Sequence, residues 1–169
     1  MYTLSETSLK MLKGVHPNLV NFMTELIKIS PWNFKITAGV RTAEEQNKLY
    51  QQGRTLKGIK VTKVDGYKLK SNHQVKFNGL GYAADIGVLV KEKVNVSVME
   101  NGKKVEKVIE KDVYKGTWKD FHYYQDIYDT AKKAGLLEKY GIEWGGNCWR
   151  TFKDAPHWQI KGADKVPYK

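Results

Sequence analysis

The sequence predicts an α+β fold: helices packed on a small, mainly antiparallel sheet, with an extra charged β-hairpin around residues 93–110. Three observations carry the prediction. Apolar residues recur at helical spacing after Pro17 (Leu19, Val20, Met23, Leu26, Ile27) and after Thr117 (Phe121, Tyr124, Tyr128, Ala131). Short strand-like runs at 34–38, 83–90, 142–144 and 157–160 are interspersed with them. The chain has 169 residues and no repeat or low-complexity tract, so residues 1–169 read as one domain long enough to bury a core.

In chain order, residues 5–12 read as a short helix. Pro17 suits a first helical turn, where its missing N–H costs nothing. Residues 34–38 alternate and read as a strand ending at Gly39. Thr42 with Glu45 three residues on is a capping box, opening a helix that stops at Gly53. Arg41 therefore falls at a strand–helix junction, where a scaffold holds a functional side chain rigidly. The competing reading is a surface arginine paired with Glu44 or Glu45. Residues 54–70 are polar and read as a mobile loop, and 83–90 as a strand carrying Asp85. From 93 to 109, Val94, Val96 and Val98 alternate, Asn101-Gly102 offers a type I′ turn, and Val105 and Val108 follow. That predicts an insertion-like hairpin over 91–115. Thr117 caps a helix ending at Gly135, and His122 lies off its apolar stripe, in solvent. Residues 142–144 and 157–160 complete the strands.

Composition narrows the function classes. The formal net charge of +11 implies attraction to polyanions. Yet the lysines are dispersed through 57–70, 91–115 and 132–139, with no helix-turn-helix, RNA-recognition or finger signature, so no nucleic-acid partner is expected. No stretch approaches the ~20 apolar residues of a membrane span, and the start at Met1 does not look like a secretory leader. One cysteine, Cys148, excludes an internal disulfide. It reads as a small buried thiol; no helix N-terminus or adjacent cation marks it as an activated nucleophile.

Chemistry concentrates in three short motifs: Ser71-Asn72-His73, Gly81-Tyr82-Ala83-Ala84-Asp85 and Asp154-Ala155-Pro156-His157-Trp158-Gln159. His73, Asp85 and His157 are a ligand set suited to one catalytic zinc ion, filling three tetrahedral corners and leaving the fourth for water. Asp154, three residues before His157, is placed to handle a proton. Together with Arg41 in Gly39-Val40-Arg41-Thr42-Ala43-Glu44-Glu45-Gln46, these motifs resemble the zinc D,D- and L,D-peptidases of bacterial cell walls. Their pattern is an Arg and a nearby Gln, then SxHxxGxAxD, then an acidic residue three before a His. The run Ser8 to Pro17 and the stretch Glu44 to Thr55 narrow the resemblance to the phage endolysins of the L-alanyl-D-glutamate peptidase type. Similarity covers most of 5–85 and 117–160.

The resemblance implies a zinc-dependent endolysin, monomeric, acting on peptidoglycan by cutting the L-Ala–D-Glu bond of its stem peptide. A D-Ala-D-Ala carboxypeptidase on the same scaffold is the alternative, and a basic nucleic-acid- or wall-binding module without catalysis is the non-enzymatic one. It implies that Arg41 steadies an oxyanion or a substrate carboxylate, and that Gln46 and Ser71 orient the peptide. It also implies retention in the host bacterial cytoplasm until release to the wall, and no separate wall-binding domain. Two departures stand out. His73 and Asp85 are twelve residues apart, wider than the family pattern, which predicts an enlarged loop at 74–78 beside the metal. Gln159 stands where many relatives carry Glu. Trp144, Trp149 and Trp158 read either as pocket walls or as core.

Overall fold

The computed structural model describes residues 1–148 and 153–169. Its elements are α1 (Glu6–Met11), α2 (Pro17–Ile29), β1 (Asn33–Ala38), α3 (Ala43–Gln51), β2 (Ala83–Glu100), β3 (Lys103–Lys115), α4 (Phe121–Lys133), α5 (Leu136–Tyr140), β4 (Ile142–Trp144), α6 (Gly145–Cys148) and β5 (His157–Ile160). Short 3-10 turns lie at Trp118–Asp120 and Ala163–Lys165. The α+β class holds, and every strand pairing is antiparallel.

Helix starts follow local chemistry. Ser5 Oγ accepts the Ser8 N–H at α1. The His16 ring accepts the Asn18 N–H at α2, with Pro17 in the first turn. At α3 the capping box forms in both directions between Thr42 and Glu45. Helix α2 buries Leu19, Phe22, Met23, Leu26 and Ile27, each worth roughly 1.5–3 kcal/mol on removal from water. Helix α4 adds Tyr124, Ile127 and Ala131. Helix α5, absent from the sequence reading, is bounded by left-handed glycines 135 and 141 and buries Leu136 and Leu137.

The sheet runs β1-β2-β5-β4, with β3 also paired to β2. Asp85 pairs with Ala38 on one side and His157 on the other, while Val88 pairs with Phe34 and Lys115. Strands β5 and β3 therefore share the edge of β2 opposite β1. Alternation sorts the residues by face. Phe34, Ile36, Ala84, Ile86, Val88, Ile142, Trp144 and Trp158 enter the core cluster with the helices. Their neighbours Thr37, Asp85, Glu143, His157 and Gln159 point to the opposite face. Trp144 and Trp158 lie 5.9 Å apart, both buried, so these two are core. Trp149 and the Cys148 side chain lie outside the described residues.

Two expectations change in detail. The hairpin is not a separate unit, because β2 continues unbroken from Ala83 to Glu100. No proline or turn interrupts it, and cross-strand opposite charges (Lys91↔Asp112, Glu92↔Lys111, Lys93↔Glu110) support the polar stretch. Its tip is the expected turn, with positive φ at both Asn101 (50°) and Gly102 (77°). The 74–78 segment is also more than an enlarged loop: Gln74 and Lys76 are buried. Gln74 accepts the Ser71 N–H and donates to the Gly66 carbonyl, both at 2.8 Å. Residues 54–70 form neither helix nor strand, but Gln46 and Asn47 of α3 bond the carbonyls of Val64 and Asp65.

Gly39, just after β1, lies tight against α1: a Cβ there would sit 2.0 Å from the Met11 carbonyl oxygen. Backbone cannot step aside as a side-chain tip can. Gly39→Ala should therefore lose at least about 1–3 kcal/mol of stability, the usual cost of overpacking, read as a lowered midpoint in urea. An unchanged midpoint would show that α1 yields freely.

Candidate metal centre

On the sheet face turned away from the helices, a cleft of about 440 Å³ is lined by Arg41, Ser71, His73, Asp85, Asp154 and His157 among others. Asp85 and His157 meet there because they are register partners on β2 and β5. His73 arrives from the loop before β2. Its backbone carbonyl accepts the Arg41 N–H (3.0 Å), and its Nδ1 lies 2.7 Å from the Gly39 carbonyl oxygen. A carbonyl only accepts, so Nδ1 carries the proton and Nε2 presents a lone pair.

Three donor atoms converge. His73 Nε2 lies 3.2 Å from Asp85 Oδ1 and 3.3 Å from His157 Nδ1, and His157 Nδ1 lies 3.1 Å from Asp85 Oδ1. A tetrahedral ion with ligands at ~2.0–2.1 Å spaces them about 3.3 Å apart. The donor set therefore matches zinc in both chemistry and spacing. Each candidate ligand has an outer partner of the kind metal sites use: the Gly39 carbonyl for His73, Gln159 Oε1 at 2.9 Å from His157 Nε2, and Arg41 Nη2 at 2.5 Å from Asp85 Oδ2.

Electrostatics act differently on the three converging residues. Burial lowers the His73 pKa, keeping the ring neutral and able to ligate. For Asp85, burial alone would raise the value, but His73 and His157 hold it well below the usual carboxylate range. For His157, burial is likewise outweighed, here by Asp85, and its pKa is raised. Asp154 differs: burial raises its pKa, opposed by His157 and Arg41. Its N–H donates to the Gly145 carbonyl and its carbonyl accepts the His157 N–H, so it enters from the turn before β5.

The remaining sequence candidates separate. Arg41 pairs with Asp85 rather than Glu44 or Glu45, and its Nη1 donates to Gln46 Oε1 at 3.3 Å. Gln46 is buried, with its amide nitrogen used on the Val64 carbonyl, so it supports Arg41 from behind. Ser71 lines the cleft and its Oγ accepts the His73 N–H. His122 is exposed and takes no part. Sequence reasoning assigned no role to Asn72 and Glu143, which bond Gln159, or to Lys76, which bonds Asn72, because only the fold brings them together.

Fold and site together define a domain with a His-Asp-His group able to bind a metal ion. Residues 1–115 match the family model described as phage L-alanyl-D-glutamate peptidase. The chain is 31% identical over 125 residues to the peptidoglycan L-alanyl-D-glutamate endopeptidase CwlK of Bacillus subtilis (strain 168), an alignment covering 74% of this chain and 59% of CwlK. This chain belongs to the phage L-alanyl-D-glutamate peptidase family. Its fold is similar to that of the Serratia marcescens L-Ala D-Glu endopeptidase ChiX, with a TM-score of 0.60 and 24% identity over 97% of this chain and 93% of that one. No described helix is long and apolar enough to cross a membrane.

Two measurements probe the centre. After chelation and dialysis against zinc, elemental analysis should find about one ion per chain, and His157→Ala should fall far below that; full loading of the variant would refute His157 as a ligand. Asp154 offers a test without metal. Its folded pKa is raised, so the folded state holds a proton above about pH 3.9, where the unfolded chain has lost it. Stability is therefore lost as pH rises from there through the raised value. Metal-free Asp154→Asn should melt higher than wild type at pH 7, with the gap closing near pH 4. A variant that melts lower at pH 7 would mean the carboxylate merely caps the turn before Pro156.

Proposed function

We propose that the chain is a zinc-dependent peptidoglycan peptidase that hydrolyses the L-Ala–D-Glu bond of the stem peptide, acting as an endolysin. The observation that carries the reading is the convergence of two histidine ring nitrogens and the Asp85 carboxylate beside Asp154 in an open cleft. Family membership and the endopeptidase activity of CwlK support the choice of bond.

His73, Asp85 and His157 would hold the ion. Zinc in such a site polarises a carbonyl and brings the pKa of water to about 7. Asp154 is the proton carrier in this reading. It takes a proton from the attacking water as the new C–O bond forms, then delivers it to the amide nitrogen as the C–N bond breaks. Its poor solvation favours the neutral acid and so assists the second transfer. Arg41, anchored by Asp85 and Gln46, would steady the developing negative charge or a substrate carboxylate, for which a guanidinium fork is suited. Ser71 at the cleft wall is assigned to orient the peptide, and Gln46 to act through Arg41. The net charge of +11 favours accumulation near an anionic envelope.

Asp154→Asn keeps the shape of the side chain and removes its proton uptake. Turnover should fall by roughly 10²–10⁴ with zinc content unchanged; near-normal turnover would remove Asp154 from the chemistry. Mass spectrometry of digested peptidoglycan identifies the bond. Fragments with a new N-terminal D-Glu are expected. Release of free D-Ala alone would assign a carboxypeptidase, and no release at all would leave a binding module.

A further inference from the structure

Lys76 is fully buried, and nothing in the proposed chemistry uses it. Its ammonium donates to Asn72 Oδ1 at 2.8 Å and sits 3.4 Å from the centre of the Tyr168 ring. A buried lysine is costly, and this one lies in the very segment that widens the spacing between His73 and Asp85. From it a polar chain runs to the metal centre. Asn72 Nδ2 donates to Gln159 Oε1 (3.0 Å) and to Asp164 Oδ1 (2.7 Å). Gln159 Nε2 donates to Glu143 Oε1 at 2.6 Å, and Gln159 Oε1 faces His157 Nε2 at 2.9 Å.

The direction of this chain is forced from its ends. An ammonium only donates, so it selects the oxygen of Asn72; a carboxylate only accepts, so Asp164 takes the nitrogen. The other hydrogen of that nitrogen then requires the oxygen of Gln159. Glu143, at the far end, requires the nitrogen of Gln159 by the same rule. The Gln159 oxygen is thereby fixed toward His157, whose Nε2 must carry the hydrogen, so that in the neutral ring Nδ1 is the nitrogen with the lone pair. A carboxylate at position 159 would accept in either orientation. An amide has two unlike faces, and reversing it here would set N–H against N–H at Asn72 and oxygen against carboxylate at Glu143.

We propose that Lys76, Asn72 and Glu143 are positioning residues that fix the orientation of the Gln159 amide, and through it the His157 tautomer that offers Nδ1 to the metal. The proposal rests on the reading of His157 as a ligand.

The test is zinc affinity, measured by competition with a chromophoric chelator, alongside the melting temperature of each metal-free protein. Freeing both ends with Lys76→Met plus Glu143→Gln in an Asp164→Asn background, so that no charge fixes the Asn72 amide, should weaken zinc binding about 10- to 100-fold, the range for outer partners of a ligating histidine. Adding Gln159→Glu to that pair should restore affinity to within about threefold. In the background of Gln159→Glu with Glu143→Gln, Lys76→Met should then have little effect. Nitrogen NMR of the zinc-loaded wild type should find His157 protonated at Nε2. The proposal fails if the freed pair binds zinc like wild type, or if Lys76→Met costs the same affinity in both backgrounds, which would mark a purely structural lysine. Unaltered zinc affinity in His157→Ala would instead overturn the ligand assignment itself.

Discussion

Asp85 is held by neighbours on both sides, Ala38 of β1 and His157 of β5, and the arrangement of the site depends on that double pairing. A strand presents alternate residues to opposite faces, so a slip of one residue would turn Asp85 into the helical core and Ala84 or Ile86 out of it. The fully buried Ala84, Ile86 and Trp158 oppose such a slip. Packing on one face of the sheet thus sets the geometry on the other. His157, Gln159 and Glu143 follow from the same constraint, since Gln159 is two residues from His157 and paired with Glu143. Of the three converging residues His73 comes from outside the strands, and its two bonds to the Gly39–Arg41 corner tie it to the end of β1.

The polar layer so formed is built at a cost. Asp85 and Asp154 approach each other, and Asp85 keeps its charge by leaning on His73, His157 and Arg41. Such groups gather against their own desolvation where function needs them. A cation shared by His73, Asp85 and His157 would relieve much of that tension, and its binding would then be coupled to stability.

Much of this was legible in the sequence for identifiable reasons. The strands 142–144 and 157–160, the Thr42 capping box and the Asn101-Gly102 turn rest on local chemistry, and local chemistry decided them. His73, Asp85, Asp154 and His157 were visible because each sits in a short motif. The Arg41–Asp85 pair was not, because its partners are 44 residues apart and two glutamates lay closer in sequence. Lys76 read as loop because a lysine is almost never fully buried without partners, and those partners, Asn72 and Tyr168, gave no signal. The continuity of β2 was hidden by Lys91 to Lys93, whose charges are matched only by residues of the opposite strand.

That continuity bears on the order of assembly. The ribbon of β2 and β3 closes around a two-residue turn, and its pairs are local near the tip, Glu100 with Lys103 and Val98 with Val105. It therefore needs little loop entropy to zip. His157 meets Asp85 and His73 across 72 and 84 residues, contacts of the kind that slow folding. Strand β2 thus belongs to both the quickest and the slowest parts of the topology. Its outer half zips locally, while its inner half waits for β5, which is the last strand in the chain and brings His157 to the other two donors.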